Sequence, residues 1–146
     1  MQAAGGTELQ LKFLYDHVDN SLLDKVQITT SVPEKISLHP SKPNILWQKN
    51  SYDQPNIYPW FKDKNNHHKY DWYVFNSHWT FEKYRMLFNL PTEKCMVIKN
   101  GCTSFPKRKL FKKGDPIRMI FQPTPWRGLN VLLAAMQMIK NKNIKL

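Results

Sequence analysis

The chain has 146 residues, room for one ordinary domain or parts of two. With 41% hydrophobic, 13% aromatic and 23% charged residues it has the mass for a packed core, which excludes an intrinsically disordered chain. Lys and Arg number 22 against 11 Asp and Glu, a net charge of +11 that predicts attraction to polyanions without choosing among nucleic acid, anionic membrane and phosphorylated ligands.

No apolar run approaches the roughly 18 residues of a membrane helix. Gln2 to Gly6 holds no basic stretch followed by an apolar one, the pattern of a secretory signal. The expected location is therefore the cytoplasm, with peripheral contact to an anionic membrane left open. The two cysteines, Cys95 and Cys102, flank an Asn-Gly turn and lack zinc-pair spacing. A buried thiol at Cys95 and an incidental one at Cys102 are expected.

In chain order, a loop through Ala3-Ala4-Gly5-Gly6 feeds a helix that Thr7 can cap, with Leu9, Phe13 and Leu14 at helical spacing as far as Val18. Lys25 to Thr30 is rich in β-branched residues and predicts a strand, and Asn44-Ile45-Leu46-Trp47 predicts a second. Pro33, Pro40 and Pro43 mark the loop between them. A short helix is expected from Pro59 to Asn65. Trp72-Tyr73-Val74-Phe75 then reads as a buried strand, followed by a turn and cap at Asn76-Ser77. A helix follows whose inner face carries Trp79, Tyr84, Leu87 and Phe88 and which stops at Leu90-Pro91. Cys95 to Ile98 is the next strand, closed by Asn100-Gly101.

Thr103 to Pro116 has the make-up of a basic connector. Beyond it, Ile117 to Phe121 predicts a strand, Gln122 to Gly128 a loop and Leu129 to Ile139 an apolar helix, and Ile144-Lys145-Leu146 begins another strand. Strand and helix alternate, so the expected class is α/β, a Rossmann-like parallel sheet with flanking helices. No strand precedes Gly5, where a glycine loop feeding a helix ordinarily follows one, and the last unit stops as its next strand begins. An incomplete fold, clipped at both ends, is the expectation.

Few residues have the pattern of chemistry. Gly5-Gly6-Thr7-Glu8 heads a helix, where bare backbone and first-turn N–H groups attract phosphate or carboxylate. Pro125-Trp126-Arg127-Gly128-Leu129 occupies another strand-to-helix loop, and open α/β sheets bind ligands at that edge. Arg127 there can clamp a diphosphate while Gly128 keeps the backbone close. His67-His68 and His78 have no carboxylate or cysteine at ligand spacing, so no metal is expected. Aromatics interleave with lysines between Trp47 and Tyr84, a pattern that suits single-stranded nucleic acid, yet many fall on core-facing positions.

The order of these motifs resembles the two-domain GT-B glycosyltransferases, specifically the retaining enzymes of glycosyltransferase family four with their glycosyl transferases group one domain. Gly5-Gly6-Thr7-Glu8 resembles the family's N-terminal glycine loop, and Val74-Phe75-Asn76-Ser77-His78-Trp79 its v-x-S-x-w segment. Asn89-Leu90-Pro91 and Lys94 to Gly101 are similar to the passage before the domain crossover. Arg127-Gly128-Leu129 with Leu132 to Met136 is similar to the K-G opening of the donor-side domain.

The resemblance implies transfer of a sugar from a nucleotide-sugar donor to a glycan, lipid or protein acceptor, with no metal or other cofactor. It assigns donor and phosphate contacts to Gly5, Gly6, Arg127 and Gly128, and places Thr7, Glu8 and Asn100 along the cleft. It implies domains at 1–102 (acceptor side) and 117–146 (start of the donor side), joined by a basic linker at 103–116. Lys99 stands where the family has proline and Arg127 where it has lysine. The family's partner arginine has no counterpart near Phe121-Gln122. Its acceptor-side histidine has none either, and its acidic donor-binding segment would fall beyond Leu146. The alternative reading is a small basic module that binds nucleic acid or anionic membrane without catalysis, nucleic acid being the less favoured partner.

Overall fold

A computed structural model describes residues 5–102, 104, 106–107, 112, 114–121, 123, 127–139 and 143–145, the last by its backbone alone. The chain divides into two compact units, Met1–Thr103 and Ser104–Leu146. In the first, helix α1 (Gly6–His17) and a single turn α2 (Asn20–Leu23) lead into strand β1 (Gln27–Thr30). Strand β2 (Asn44–Gln48), helix α3 (Tyr58–Lys62), strand β3 (Trp72–Phe75), helix α4 (His78–Phe88) and strand β4 (Cys95–Val97) follow. Thr7 lies inside the first turn of α1; the cap is Gly5, which offers no side-chain hydrogen bond, so the expected threonine cap is corrected. Ser77 does cap α4, its Oγ accepting from Thr80 N at 3.1 Å.

The four strands are all parallel and stand in chain order, β1-β2-β3-β4, with Ile28 beside Ile45, Trp47 beside Val74 and Phe75 beside Val97. The α/β class and Rossmann-like parallel sheet expected from the alternation are what the chain forms. Consecutive parallel strands joined by right-handed crossovers carry every connection on one face. Val32 and Leu38 from the β1–β2 loop, Ile57 and Phe61 around α3, and Tyr84 and Phe88 of α4 accordingly pack into one cluster on Leu46, Tyr73 and Phe75.

That cluster is largely aromatic. Phe61 lies 4.7 Å from Tyr84, edge to face, and 5.5 Å from Phe88. Tyr73 hides its ring in the core and donates its hydroxyl to His67 O at 3.0 Å. Burial drives its phenol pKa far above the ordinary value, so it stays a neutral donor at every relevant pH. The inward face of α4 is Thr80, Tyr84 and Phe88, spaced four apart. Trp79 and Leu87, expected inside, are 61% and 53% exposed. Trp79 instead sits on the outer surface with the Lys83 ammonium 5.7 Å from its ring centroid.

The second unit pairs strand β5 (Ile117–Arg118) in parallel with strand β6 (Ile144–Lys145), helix α5 (Leu129–Met138) lying between them in sequence. Met119 to Phe121 lie outside β5, which is shorter than expected. Gly128 caps α5 at φ 103°, a conformation that excludes a β-carbon without strain. Of the expected basic linker, 103, 105, 108–111 and 113 lie outside the described residues, as do 124–126 of the Arg127 loop.

Candidate functional site

A helix that leads into a parallel strand starts at the strand's carboxyl end, the edge where open α/β sheets bind their ligands. In the first unit that edge gathers the start of α1, the residues just past β2 and the turn after β4. Gly5 lets Glu8 fold back over the helix start: a β-carbon at Gly5 would lie 2.6 Å from Glu8 Oε2. At Gly6 no atom lies within 4 Å of an added β-carbon, so packing makes no demand for glycine there. Thr7 is half-buried and Glu8 exposed in the same turn.

From the far end of the unit, Gly101 accepts a hydrogen bond at its carbonyl from Gln10 Nε2 at 3.3 Å. A β-carbon at Gly101 would meet the Phe13 ring at 2.9 Å. Asn100, exposed, stands one residue before this contact. Gly101 thus packs on α1 across some ninety residues of chain, against Gln10 and Phe13 rather than against the glycine motif itself. Arg127 and Gly128 belong to the second unit, where Arg127 is exposed and immediately precedes the cap of α5.

The strongest chemical signal on this edge is one that the motifs did not reveal. Trp47 and Lys49 share a strand face by their two-residue spacing. The Lys49 ammonium sits 3.6 Å from the centroid of the Trp47 ring. Both Lys49 Nζ and Trp47 Nε1 are buried and have no hydrogen-bond partner. Burial pushes the Lys49 pKa down to about 8, partly opposed by the charge of Glu8.

On the opposite face of the same strand ends, Thr29 Oγ1, Ser31 Oγ and Gln48 Nε2 are also buried and unpaired. Gln48 Oε1 meanwhile accepts from Lys49 N and Asn50 N, both at 2.9 Å. Ser31 takes φ 67°, so the backbone bends sharply where β1 ends. The sequence held no signal for this cluster: Lys49 comes just after a continuous apolar run, Ile45-Leu46-Trp47, and is one of 22 basic residues.

Beneath α1 the sheet face is only partly covered. A cavity of about 330 Å³ lies between Phe13 and Leu14 of α1 and the strand residues Ile28, Ile45, Trp47 and Val74. Ile98, Lys99 and Gly101 close its far side, with Gln10 on the helix. This follows from the topology: three connections fill the other face, and α1, with no fully buried residue, is left to cover this one.

A lysine whose folded pKa lies below its unfolded value destabilises the protein wherever both states carry the charge. Stability then rises with pH between about 8 and 10.5, as the folded state gives up its proton first. Lys49→Met removes this cost. Because the site is partly solvated, a gain of about 1 kcal/mol at pH 7 is expected, vanishing above pH 10.5; urea unfolding at the two pH values checks it.

The other candidates resolve simply. His67 Nε2 donates to Phe61 O at 2.8 Å and is a core histidine. No group of three or more metal-ligating side chains occurs among the described residues. Tyr70, Tyr73, Phe75 and Tyr84 are fully buried, out of reach of a stacked base. Cys95, half-buried, donates its thiol to Pro91 O at 3.3 Å, while Cys102 is exposed. No helix among the described residues is long and apolar enough to cross a membrane. No protein-family model matches the chain, nor does any curated protein or solved structure.

Proposed function

We propose that the chain carries acceptor-side and initial donor-side elements of a GT-B glycosyltransferase of the retaining family-four type, using a nucleotide-sugar donor. The observation that supports this reading is that Gly101 packs on α1, the helix that Gly5-Gly6-Thr7-Glu8 begins, through Gln10 and Phe13. The resemblance assigns both segments to one cleft, and open α/β sheets take their ligands at the carboxyl edge of the strands.

In this reading the start of α1 offers backbone N–H groups to the donor phosphates, with Glu8 moving aside. Arg127 stabilises the charge that grows on the departing nucleoside diphosphate as the sugar bond breaks. Gly128, free of a side chain at φ 103°, lets the diphosphate approach the backbone. The acceptor is a glycan, lipid or protein.

Calorimetric titration with UDP, GDP and ADP tests the reading. One of the three is expected to bind with one-to-one stoichiometry, and Arg127→Ala to weaken it about ten-fold, the loss of one charge-assisted contact. Binding unchanged in Arg127→Ala contradicts the proposal. So does the absence of heat with every nucleotide, or binding to polynucleotide alone with a steep salt dependence.

A further inference from the structure

Helix α4 turns Thr80, Tyr84 and Phe88 toward the core, and the side opposite that row carries Trp79, Lys83 and Met86. Leu87 lies beside them, one turn past Lys83. The outward side of a surface helix is ordinarily polar, and this one is not: Trp79 is 61% exposed, Met86 71% and Leu87 53%. Together they form an apolar stripe on the surface, the mark of an interaction site.

The same layer pairs each exposed ring with a lysine one turn further on. The Lys83 ammonium lies 5.7 Å from the Trp79 ring centroid, and the Lys62 ammonium 5.9 Å from that of Tyr58 on α3. Tyr58 is half-exposed and its ring meets Phe88 of α4 edge to face at 5.6 Å, so α3 and α4 lie side by side. The charged residues of the two helices are Lys62, Lys83, Arg85 and Glu82, and Glu82 is taken up by Arg85 at 2.6 Å. Lys62 and Lys83 have no carboxylate partner among the described residues. The face is thus apolar and positive, on a chain of net charge +11.

Different partners place different demands on such a face. Interfaces with folded proteins are depleted of lysine. A single-stranded nucleic acid stacks on rings and pairs with cations, but it offers nothing to Met86 and Leu87. A bilayer surface answers every feature: the apolar side chains enter the headgroup boundary, lysine stems lie along them and the ammonium groups reach lipid phosphates. Anionic lipid supplies the complementary charge.

We propose that the first unit docks on an anionic membrane surface through the outer side of α4, with Trp79, Met86 and Leu87 in the headgroup boundary and Lys83 and Lys62 on lipid phosphates. This goes beyond the glycosyltransferase reading and stands without it, because the docking face shares no residue with Gly5 to Glu8, Asn100 or the Arg127 loop.

The test is co-sedimentation of the chain with vesicles of pure phosphatidylglycerol and of pure phosphatidylcholine. Binding to phosphatidylglycerol is expected to be at least ten-fold tighter and to weaken as salt rises. Lys83→Gln is expected to weaken it about five-fold, the share of one charge near an anionic surface. Trp79→Ser combined with Met86→Ser is expected to weaken it ten-fold or more. Both positions are exposed, and circular dichroism confirms that the variants are folded. Tyr15→Ser, which removes an exposed ring on α1, is expected to change nothing.

Vesicle binding that the folded double variant keeps in full is attraction by charge elsewhere on the chain, and it overturns the proposal. Equal binding to both lipids, binding to neither, or an equal loss in Tyr15→Ser does the same. Binding of single-stranded RNA without vesicle binding, or a dimer that the double variant splits and vesicles leave intact, assigns the face to another partner and also overturns it. Loss of nucleotide binding in Arg127→Ala does not bear on vesicle binding, so the two readings fail separately.

Discussion

Phe61→Ala is expected to cost the first unit about 3–5 kcal/mol, a large fraction of the roughly 5–15 kcal/mol that holds a native domain together. Phe61 is fully buried at the centre of the aromatic cluster, 4.8 Å from Trp60, 4.7 Å from Tyr84, 5.5 Å from Phe88 and 6.1 Å from Tyr73 by ring centroids. Removing the ring strips partners from all four and leaves a void that rigid neighbours cannot close. Phe61→Leu keeps most of the volume and is expected to lose less than half as much. Urea unfolding followed by circular dichroism reads both values.

Asn44→Ala is expected to be the costliest polar substitution, at about 2–4 kcal/mol. Asn44 is 8% exposed, and its amide closes the loop that enters β2. Its Nδ2 donates to His39 O at 3.0 Å and to Lys42 O at 3.2 Å, while its Oδ1 accepts from His39 N at 2.8 Å. Truncation leaves these part-buried groups without a partner. It also loosens the start of β2, where Asn44 N donates to Asp71 Oδ2 at 2.7 Å. Asn44→Asp keeps the acceptor and loses two donors, so an intermediate loss is expected. Thermal unfolding of both variants distinguishes a specific amide network from a generic need for a polar residue.

The strands and long helices were legible because local pattern and tertiary packing agree on them. Trp72 to Phe75 forms a strand over the residues its apolar run marked, and Ser77 caps α4 as its hydroxyl position suggested. The inner face of α4 was legible only in part: Tyr84 and Phe88 face the core as expected, and Trp79 and Leu87 do not. Trp79 and Leu87 are more apolar than Thr80, but the side that faces the sheet is fixed by Tyr84 and Phe88 and carries Thr80 with them. The threonine polar group is satisfied there by Ser77 Oγ at 2.8 Å and by Asn76 Oδ1 at 3.2 Å.

Of the candidate site, the glycine loop and Asn100-Gly101 could be found as motifs, because glycine and asparagine mark unusual backbone in any context. Lys49 could not. Its significance rests on an absence of partners in three dimensions, and a lysine in a basic chain carries no signal by identity alone. The cavity under α1 was equally hidden, because it depends on the strand order β1-β2-β3-β4 and on which face the crossovers take.

The central proposal is that the chain binds a nucleotide-sugar, with the start of α1 and Arg127 each taking part. Amide chemical shifts of the labelled protein, recorded while UDP-glucose, GDP-mannose or ADP-glucose is added, test it most directly. With one of these donors, saturable shifts are expected at Gly5, Gly6 and Thr7 and at Arg127 and Gly128. Shifts confined to other elements, or shifts that inorganic phosphate reproduces in full, would contradict it.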